Sequence, residues 1–182
     1  MNLEERTREE VTRRLNRFET KYGAFSAHQE TVTNEPDFFE QGRRLAEKGW
    51  VGDAGAWVTD ERGRVLLIRH ASAPDRWGTP GGGHEPGETL EETARREVRE
   101  ETGVECSLTD IWFARRKTIV HENDPDERID MLTVQFEAEY EGGELAIGDD
   151  EILEAKWFTD PPKRVHEMLE DKIERWNQRG QP

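Results

Sequence analysis

The chain has 182 residues, of which 41 are acidic and 26 basic, for a net charge of −15. That surplus argues against non-specific attachment to nucleic acid or to an anionic membrane, and no apolar run is long enough to span a bilayer. The single cysteine, Cys106, excludes an intrachain disulfide and a cysteine-based zinc site.

The length fits one domain with an added segment, and six Trp and seven Phe can build a core despite a hydrophobic content of 32%. Residues 1–50 read as a largely helical N-terminal extension. Val11, Leu15, Phe18 and Tyr22 recur at helical spacing and Gly23 ends the run. Asn34-Glu35-Pro36-Asp37 starts a second helix, which carries Phe38, Phe39 and Leu45 and closes at Gly49. The apolar stripe is suited first to packing, and also to a homodimer surface or a wall beside the substrate. Residues 1–6 show no signal-peptide pattern, so the expected compartment is the cytoplasm.

Residues 51–182 form the expected main domain. Ala54–Asp60 and Arg64–His70 read as a hairpin turning at Asp60-Glu61-Arg62-Gly63. The glycine-rich run Trp77-Gly78-Thr79-Pro80-Gly81-Gly82-Gly83 allows close backbone approach, and a carbonyl of Gly81 or Gly82 is a candidate metal ligand.

Leu90–Thr102 reads as a helix, free of Pro and Gly and rich in Glu, Arg, Leu and Ala. Thr89 caps it with Glu92 as the capping-box partner, and Gly103 stops it. With Leu90 at zero and about 100° per residue, Ala94 and Val98 fall at roughly 40° and 80°, Glu97 and Glu101 at roughly −20° and +20°, and Glu100 at about −80°. Arg95, Arg96 and Arg99 point on or toward the far side. Glu97 and Glu101 therefore share the face of the apolar residues, where a solvated helix does not keep its charges. Carboxylates at such spacing repel one another, and partly buried they need a cation or raised pKa values. Hard oxygen ligands suit Mg²⁺ or Mn²⁺.

Further on, Ser107–Val120 and Arg128–Tyr140 read as strands joined by an acidic loop at 121–127. Ile152–Phe158 is a short strand, and Pro161–Arg179 a closing helix with Val165, Met168, Leu169, Ile173 and Trp176 on one stripe. Strands, one central helix, more strands and a closing helix give an α/β fold with a mixed sheet.

The segment from Gly82 to Val104 runs Gly, five residues, Glu88, seven residues, Arg96-Glu97-Val98-Arg99-Glu100-Glu101-Thr102-Gly103-Val104. It matches every fixed position of the Nudix box, so the chain resembles the Nudix hydrolases, which cleave nucleoside diphosphates linked to another group. The resemblance implies a Nudix-type α/β/α sandwich over roughly residues 50–180, with residues 1–50 outside it, and metal-dependent cleavage of a pyrophosphate bond. It implies that Glu97, Glu100 and Glu101 hold Mg²⁺ or Mn²⁺, with Glu88 as an occasional or supporting ligand. It also implies that Arg96 holds a box glutamate and that Glu97, or Glu151 from the loop before Trp157, accepts the proton of the attacking water. Glu154 is second to Glu151 for that loop position.

Arg69, Arg76 and Arg116 are the candidate phosphate-binding residues, since guanidinium pairs bidentately with phosphate; Arg115 and Arg128 are weaker candidates. His70, His84 and His121 read as structural, and Trp77 and Trp112 as core. Markers of the ADP-ribose, dinucleoside-polyphosphate, NADH and coenzyme A subclasses are absent. The alternative to a hydrolase is a non-catalytic Nudix-fold nucleotide sensor. Sensors of that kind usually lose box carboxylates, and this chain keeps them all. A Nudix-fold isomerase uses a catalytic cysteine, and Cys106 does not stand at that position. The expected partner is a small nucleotide-type molecule.

The acidic surplus and the preference for Arg over Lys, 20 to 6, resemble proteins of salt-loving microbes. Self-repulsion at this charge is screened by salt. The melting temperature is therefore expected to rise from dilute to molar salt; a flat or falling curve contradicts the halophilic reading.

Overall fold

The computed structural model describes residues 1–179; residues 180–182 of the expected main domain lie outside them. In chain order the elements are α1 (Leu3–Tyr22), β1 (Ala27–Asn34), α2 (Pro36–Glu47), β2 (Gly52–Thr59), β3 (Val65–His70), β4 (Gly81–Gly83), α3 (Leu90–Thr102), β5 (Glu105–His121), β6 (Asp124–Gly142), β7 (Ile152–Phe158) and α4 (Glu170–Arg179). The sheet runs β1-β5-β6-β2-β3-β7, with β4 paired to β2. Parallel pairing of β1 with β5 and antiparallel pairing of β3 with β2 and β7 make it mixed. The fold is the α/β class expected. Among the described residues, no helix is long and apolar enough to cross a membrane.

By contacts the chain divides into two compact units. One comprises residues 1–54, 83–93 and 111–135; the other comprises 55–82, 94–110 and 136 onward.

In the first unit, α1 begins at a full capping box. The Asn2 side chain accepts from the Glu5 backbone at 2.8 Å, and the Glu5 carboxylate accepts from the Asn2 backbone at 3.0 Å. Its buried stripe is Thr7, Val11, Arg14 and Phe18. An arginine thus stands where the helical period calls for an apolar residue. Phe39, Ile119, Ile129 and Met131 form a buried cluster, joined by Leu3, Val32 and Trp50.

In the second unit, Trp57 and Trp176 meet edge to face at 5.7 Å, both almost fully buried. Lys172 caps the pair, its ammonium 4.8 Å from the Trp57 ring and bonded to Glu137. Leu169, Ile173 and Trp176 are the buried side of the closing segment.

Two expectations, the loop at 121–127 and the closing helix, need correction. Residues 1–50 are largely helical, as α1 and α2, and between these helices residues 27–34 form β1 in register with Ala114–His121 of β5. The β-branched run Thr31-Val32-Thr33 lies between the breaks at Gly23 and Pro36, and a partner strand 87 positions away is not visible in local pattern. The acidic loop at 121–127 shrinks to a turn at Glu122-Asn123, since β5 and β6 extend to meet it. The closing helix starts at Glu170 rather than Pro161. Before it, Val165 bridges to Trp77 and a 3₁₀ turn spans Glu167–Leu169. The backbone bonds of this stretch go to another segment, Trp77 N to Arg164 O at 3.0 Å and His166 N to Trp77 O at 2.9 Å, and so are lost to a helix.

Truncating Trp176 to Ala removes one half of the buried aromatic pair. The expected loss of unfolding free energy is about 3–5 kcal/mol, read from denaturant midpoints. A change within about 0.5 kcal/mol, the range of surface substitutions, contradicts this packing.

Candidate functional site

α3 forms as the sequence reading has it. Thr89 N donates to the Glu92 carboxylate at 2.7 Å, and Glu92 N donates to the Thr89 hydroxyl at 3.2 Å. At the other end Gly103 adopts φ +73° and its N–H bonds to Arg99 O at 2.8 Å. A Cβ there would lie 2.5 Å from the Glu144 carbonyl, so both the turn and the close approach of the segment after β6 require glycine.

The face predicted to be buried is buried. Leu90, Ala94 and Val98 are fully covered, and Glu101 is 4% exposed. Glu101 accepts a 2.8 Å hydrogen bond from the Gly81 N–H. The Glu97 carboxylate lies against Gly82, where an added Cβ would fall 2.6 Å from its Cδ. The glycine run before the box thus brings bare backbone up to two carboxylates of α3. Burial pushes the Glu101 carboxyl up to about 8, against the bond from Gly81 and reinforced by the charges of Glu97, Asp149 and Glu151. Burial raises Glu97 as well, opposed by Arg96 and helped by Glu100 and Asp149.

Arg96 departs from the far-side placement. Its side chain is 15% exposed and folds back along the helix, with Nη1 2.6 Å from Glu97 and 3.1 Å from Glu100. The helical angle separates Arg96 from Glu100 by only about 40°, and a long side chain spans that easily. Glu100 is half exposed. Glu88 accepts from the Thr93 hydroxyl at 2.9 Å and the Glu85 N–H at 3.2 Å, and so ties the approach loop to the first turn of α3.

The loop before β7 carries the remaining acids. Glu151 is largely exposed, 3.4 Å from His70 Nε2. Glu154 pairs with Arg69 across the strands. Asp149 was missed in the sequence reading. Its charge acts on both Glu97 and Glu101, and its carboxylate accepts from Glu151 N at 2.8 Å. The signal available was Gly148, where a Cβ would meet the Glu100 carbonyl at 2.6 Å: glycine lets this loop run against the backbone of α3.

Among the described residues, no three His, Cys, Asp or Glu side chains already converge on one metal-sized point. The donor set nonetheless fits a hard divalent cation. It is all oxygen, it concentrates negative charge at Glu97, Glu101 and Asp149 beside the backbone of Gly81 and Gly82, and the pKa values of Glu97 and Glu101 are raised first by burial and then by neighbouring acids.

Of the arginines considered for phosphate, Arg69 bonds Glu154 and lies 5.2 Å over the Trp77 ring. Arg116 bonds Asp130 at 3.2 Å, and Arg115 lies 3.5 Å from Glu30. Arg128 donates to the Pro125 carbonyl. Arg76 lines a cavity of about 670 Å³ with Asp75, Lys163, Arg164 and residues of α4. His84 is buried, with its pKa lowered by that burial, and His121 packs on Phe39 at 5.1 Å. Cys106 is buried and its thiol pushed up to about 11 by burial, which leaves it unreactive.

A NAD-capped RNA hydrolase, NudC, of Deinococcus radiodurans is 37% identical over 95 residues, covering 52% of this chain and 31% of that protein. An ADP-ribose pyrophosphatase of Methanocaldococcus jannaschii is 31% identical over 125 residues, covering 65% and 70%. The chain thus spans about a third of the NudC relatives it matches. Among solved structures, the MutT protein of Methanosarcina mazei Go1 superposes with a TM-score of 0.52 at 23% identity, over 75% of this chain and 99% of that one. A NUDIX hydrolase of Nitrosomonas europaea gives 0.52 at 23%, over 73% and 74%. These two likenesses show a shared fold. The NUDIX domain itself matches residues 50–176, which contain the box, α3 and the acidic loop, and the chain belongs to the NUDIX family.

Proposed function

We propose that this protein is a Mg²⁺- or Mn²⁺-dependent hydrolase that cleaves the pyrophosphate bond of a nucleoside diphosphate linked to another group. The observation that carries the reading is the pair of carboxylates on the inner face of α3, Glu101 buried and Glu97 largely covered, set against the backbone of Gly81 and Gly82. Burial raises both pKa values, and the charge of Glu97 raises Glu101 further, a conflict that a structural role does not need.

Glu97, Glu100 and Glu101 are the proposed metal ligands, with a carbonyl of Gly81 or Gly82, and Glu88 in support. A bound divalent ion would supply charge neutralisation for the phosphates and a lowered pKa for water. Arg96 bridges Glu97 and Glu100 and so sets where their oxygens point. Glu97 or Glu151 takes the proton of the attacking water; Glu151 is exposed to solvent, and Glu97 is close to the other carboxylates. The P–O bond of the bridging oxygen breaks, and a nucleoside monophosphate leaves alongside the phosphorylated remainder. Attack at phosphorus is then largely positioning and electrostatics.

The names of the relatives span NAD-capped RNA, ADP-ribose and nucleoside triphosphates. The chemistry common to them is a phosphoanhydride within a nucleotide, and the proposed substrate class stops there. Of the three candidate phosphate-binding arginines, Arg76 lines a cavity, and Arg69 and Arg116 are held by Glu154 and Asp130.

Glu100→Gln and Glu101→Gln should each lower turnover on the order of a hundredfold or more while circular dichroism shows the fold intact; wild-type rates in either variant contradict the assignment.

The raised pKa of Glu101 also fixes a pH dependence. The folded state holds this proton up to about pH 8, whereas the ordinary value is 4.5. Folded protein then binds more protons than unfolded protein across that window, so stability falls as pH rises through it. In chelator the melting temperature should decline from about pH 6.5 to 8, and both saturating Mg²⁺ and Glu101→Gln should remove the decline. A chelator curve that is flat over this range contradicts the raised pKa of the buried Glu101.

A further inference from the structure

Three cations of α1 reach the segment that leads into α3. Arg14 is 8% exposed. Its Nε bonds Glu10 at 2.7 Å and its Nη2 donates to the Glu88 carbonyl at 3.2 Å. The same carbonyl lies 2.8 Å from His84 Nε2. Three residues on, Arg17 pairs with the Glu91 carboxylate, and Lys21 takes the other oxygen of that carboxylate at 3.0 Å. The Glu91 side chain is 3% exposed. A carboxylate so deeply covered needs its partners, and both come from one helix.

The three cations are spaced i, i+3 and i+7, a single ridge of α1. Glu88 belongs to the box and Glu91 to the first turn of α3, whose N–H groups also favour a negative charge there. Glu97 and Glu101 follow about 9 and 15 Å along the same helix axis. A helix transmits a rotation of its first turn along its length, so a grip on Glu91 fixes the direction in which Glu97 and Glu101 project.

We infer that Arg14, Arg17 and Lys21 are positioning residues for the hydrolytic site, acting by locking the Glu88 carbonyl and the Glu91 carboxylate so that α3 presents its carboxylates at one rotation. This assigns residues 1–50 a part in catalysis without contact to substrate, and it rests on the hydrolase reading above. The α1 stripe of Val11 and Phe18 supplies the burial that holds the ridge in place.

The test uses the full chain with Glu91→Gln, the double variant Arg17→Ala/Lys21→Ala, the conservative variant Arg17→Lys and the control Arg8→Ala. Arg8 lies on α1 and pairs with Glu4 at the surface. Glu91→Gln removes the buried charge together with the pairing, so it keeps a foldable protein if the double variant does not. Three quantities are read: melting temperature, kcat and KM on a nucleotide substrate with saturating Mg²⁺, and amide hydrogen exchange across residues 94–102. In Glu91→Gln and the double variant, kcat should fall about ten- to a hundredfold, the scale of an ångström-sized misplacement. KM should stay within about twofold, since substrate contacts are untouched. Exchange across 94–102 should quicken, with the protein still folded at the assay temperature. Arg17→Lys should recover most of the kcat, and Arg8→Ala should match wild type. Unchanged kcat in folded Glu91→Gln overturns the inference, and so does a lower kcat with unchanged exchange. Absence of turnover in the wild type refutes the hydrolase reading instead, and hydrogen exchange then still decides whether α1 sets the order of α3.

Discussion

Two carboxylates on the buried face of one helix are the constraint around which this molecule is arranged. Glu97 and Glu101 stand one turn apart, beside Leu90, Ala94 and Val98, in a position that a helix optimised for stability would fill with aliphatic residues. Their burial raises both pKa values, and to about 8 for Glu101. Neighbouring features answer that burden. Gly81 donates its N–H, Gly82 leaves room where a side chain would collide, and Arg96 bridges Glu97 to Glu100. None of these neutralises Glu101, and the acids of the 149–151 loop add to the charge rather than relieve it. A local conflict of this kind, retained within an otherwise consistent fold, is the mark of a working site.

α3 could be read from the chain because its evidence is local. The cap at Thr89, the stop at Gly103 and the angle between Glu97 and Ala94 all lie within four residues of what they determine. The β2–β3 hairpin was legible for the same reason, through two short apolar runs and a turn at 60–63. β1 was not, because its pairing partner is in β5 and its own pattern is mostly exposed, with no apolar face to announce a strand. The irregular stretch before α4 was misread as helix because Val165, Met168 and Leu169 keep helical spacing, whereas the backbone hydrogen bonds of Arg164 and His166 are taken by Trp77.

Within the site the division is similar. The box glutamates followed from their spacing. Glu91 escaped notice because the buried side of α3 is wider than its apolar stripe, and its partners Arg17 and Lys21 lie 74 and 70 residues away. Asp149 escaped because an acid among many acids carries no signal of its own; only Gly148, pressed on α3, distinguishes its loop. Arg96 was set on the wrong side by treating a long side chain as if it ended at its Cβ. The arginines thought to bind phosphate mostly answer nearby carboxylates, as Arg69 and Arg116 do, which is what a net charge of −15 leads one to expect.

The most direct measurement is mass-spectrometric product analysis in ¹⁸O-labelled water, with the full chain, Mg²⁺ or Mn²⁺, and a panel of nucleoside triphosphates, ADP-ribose, dinucleoside polyphosphates and nucleotide sugars at low and molar salt. The proposed metal-holding role of these carboxylates predicts metal-dependent release of a nucleoside monophosphate, with one ¹⁸O entering a phosphate of one product. Bound metal and folded protein with no cleavage of any substrate in the panel would contradict it and leave a nucleotide sensor in its place.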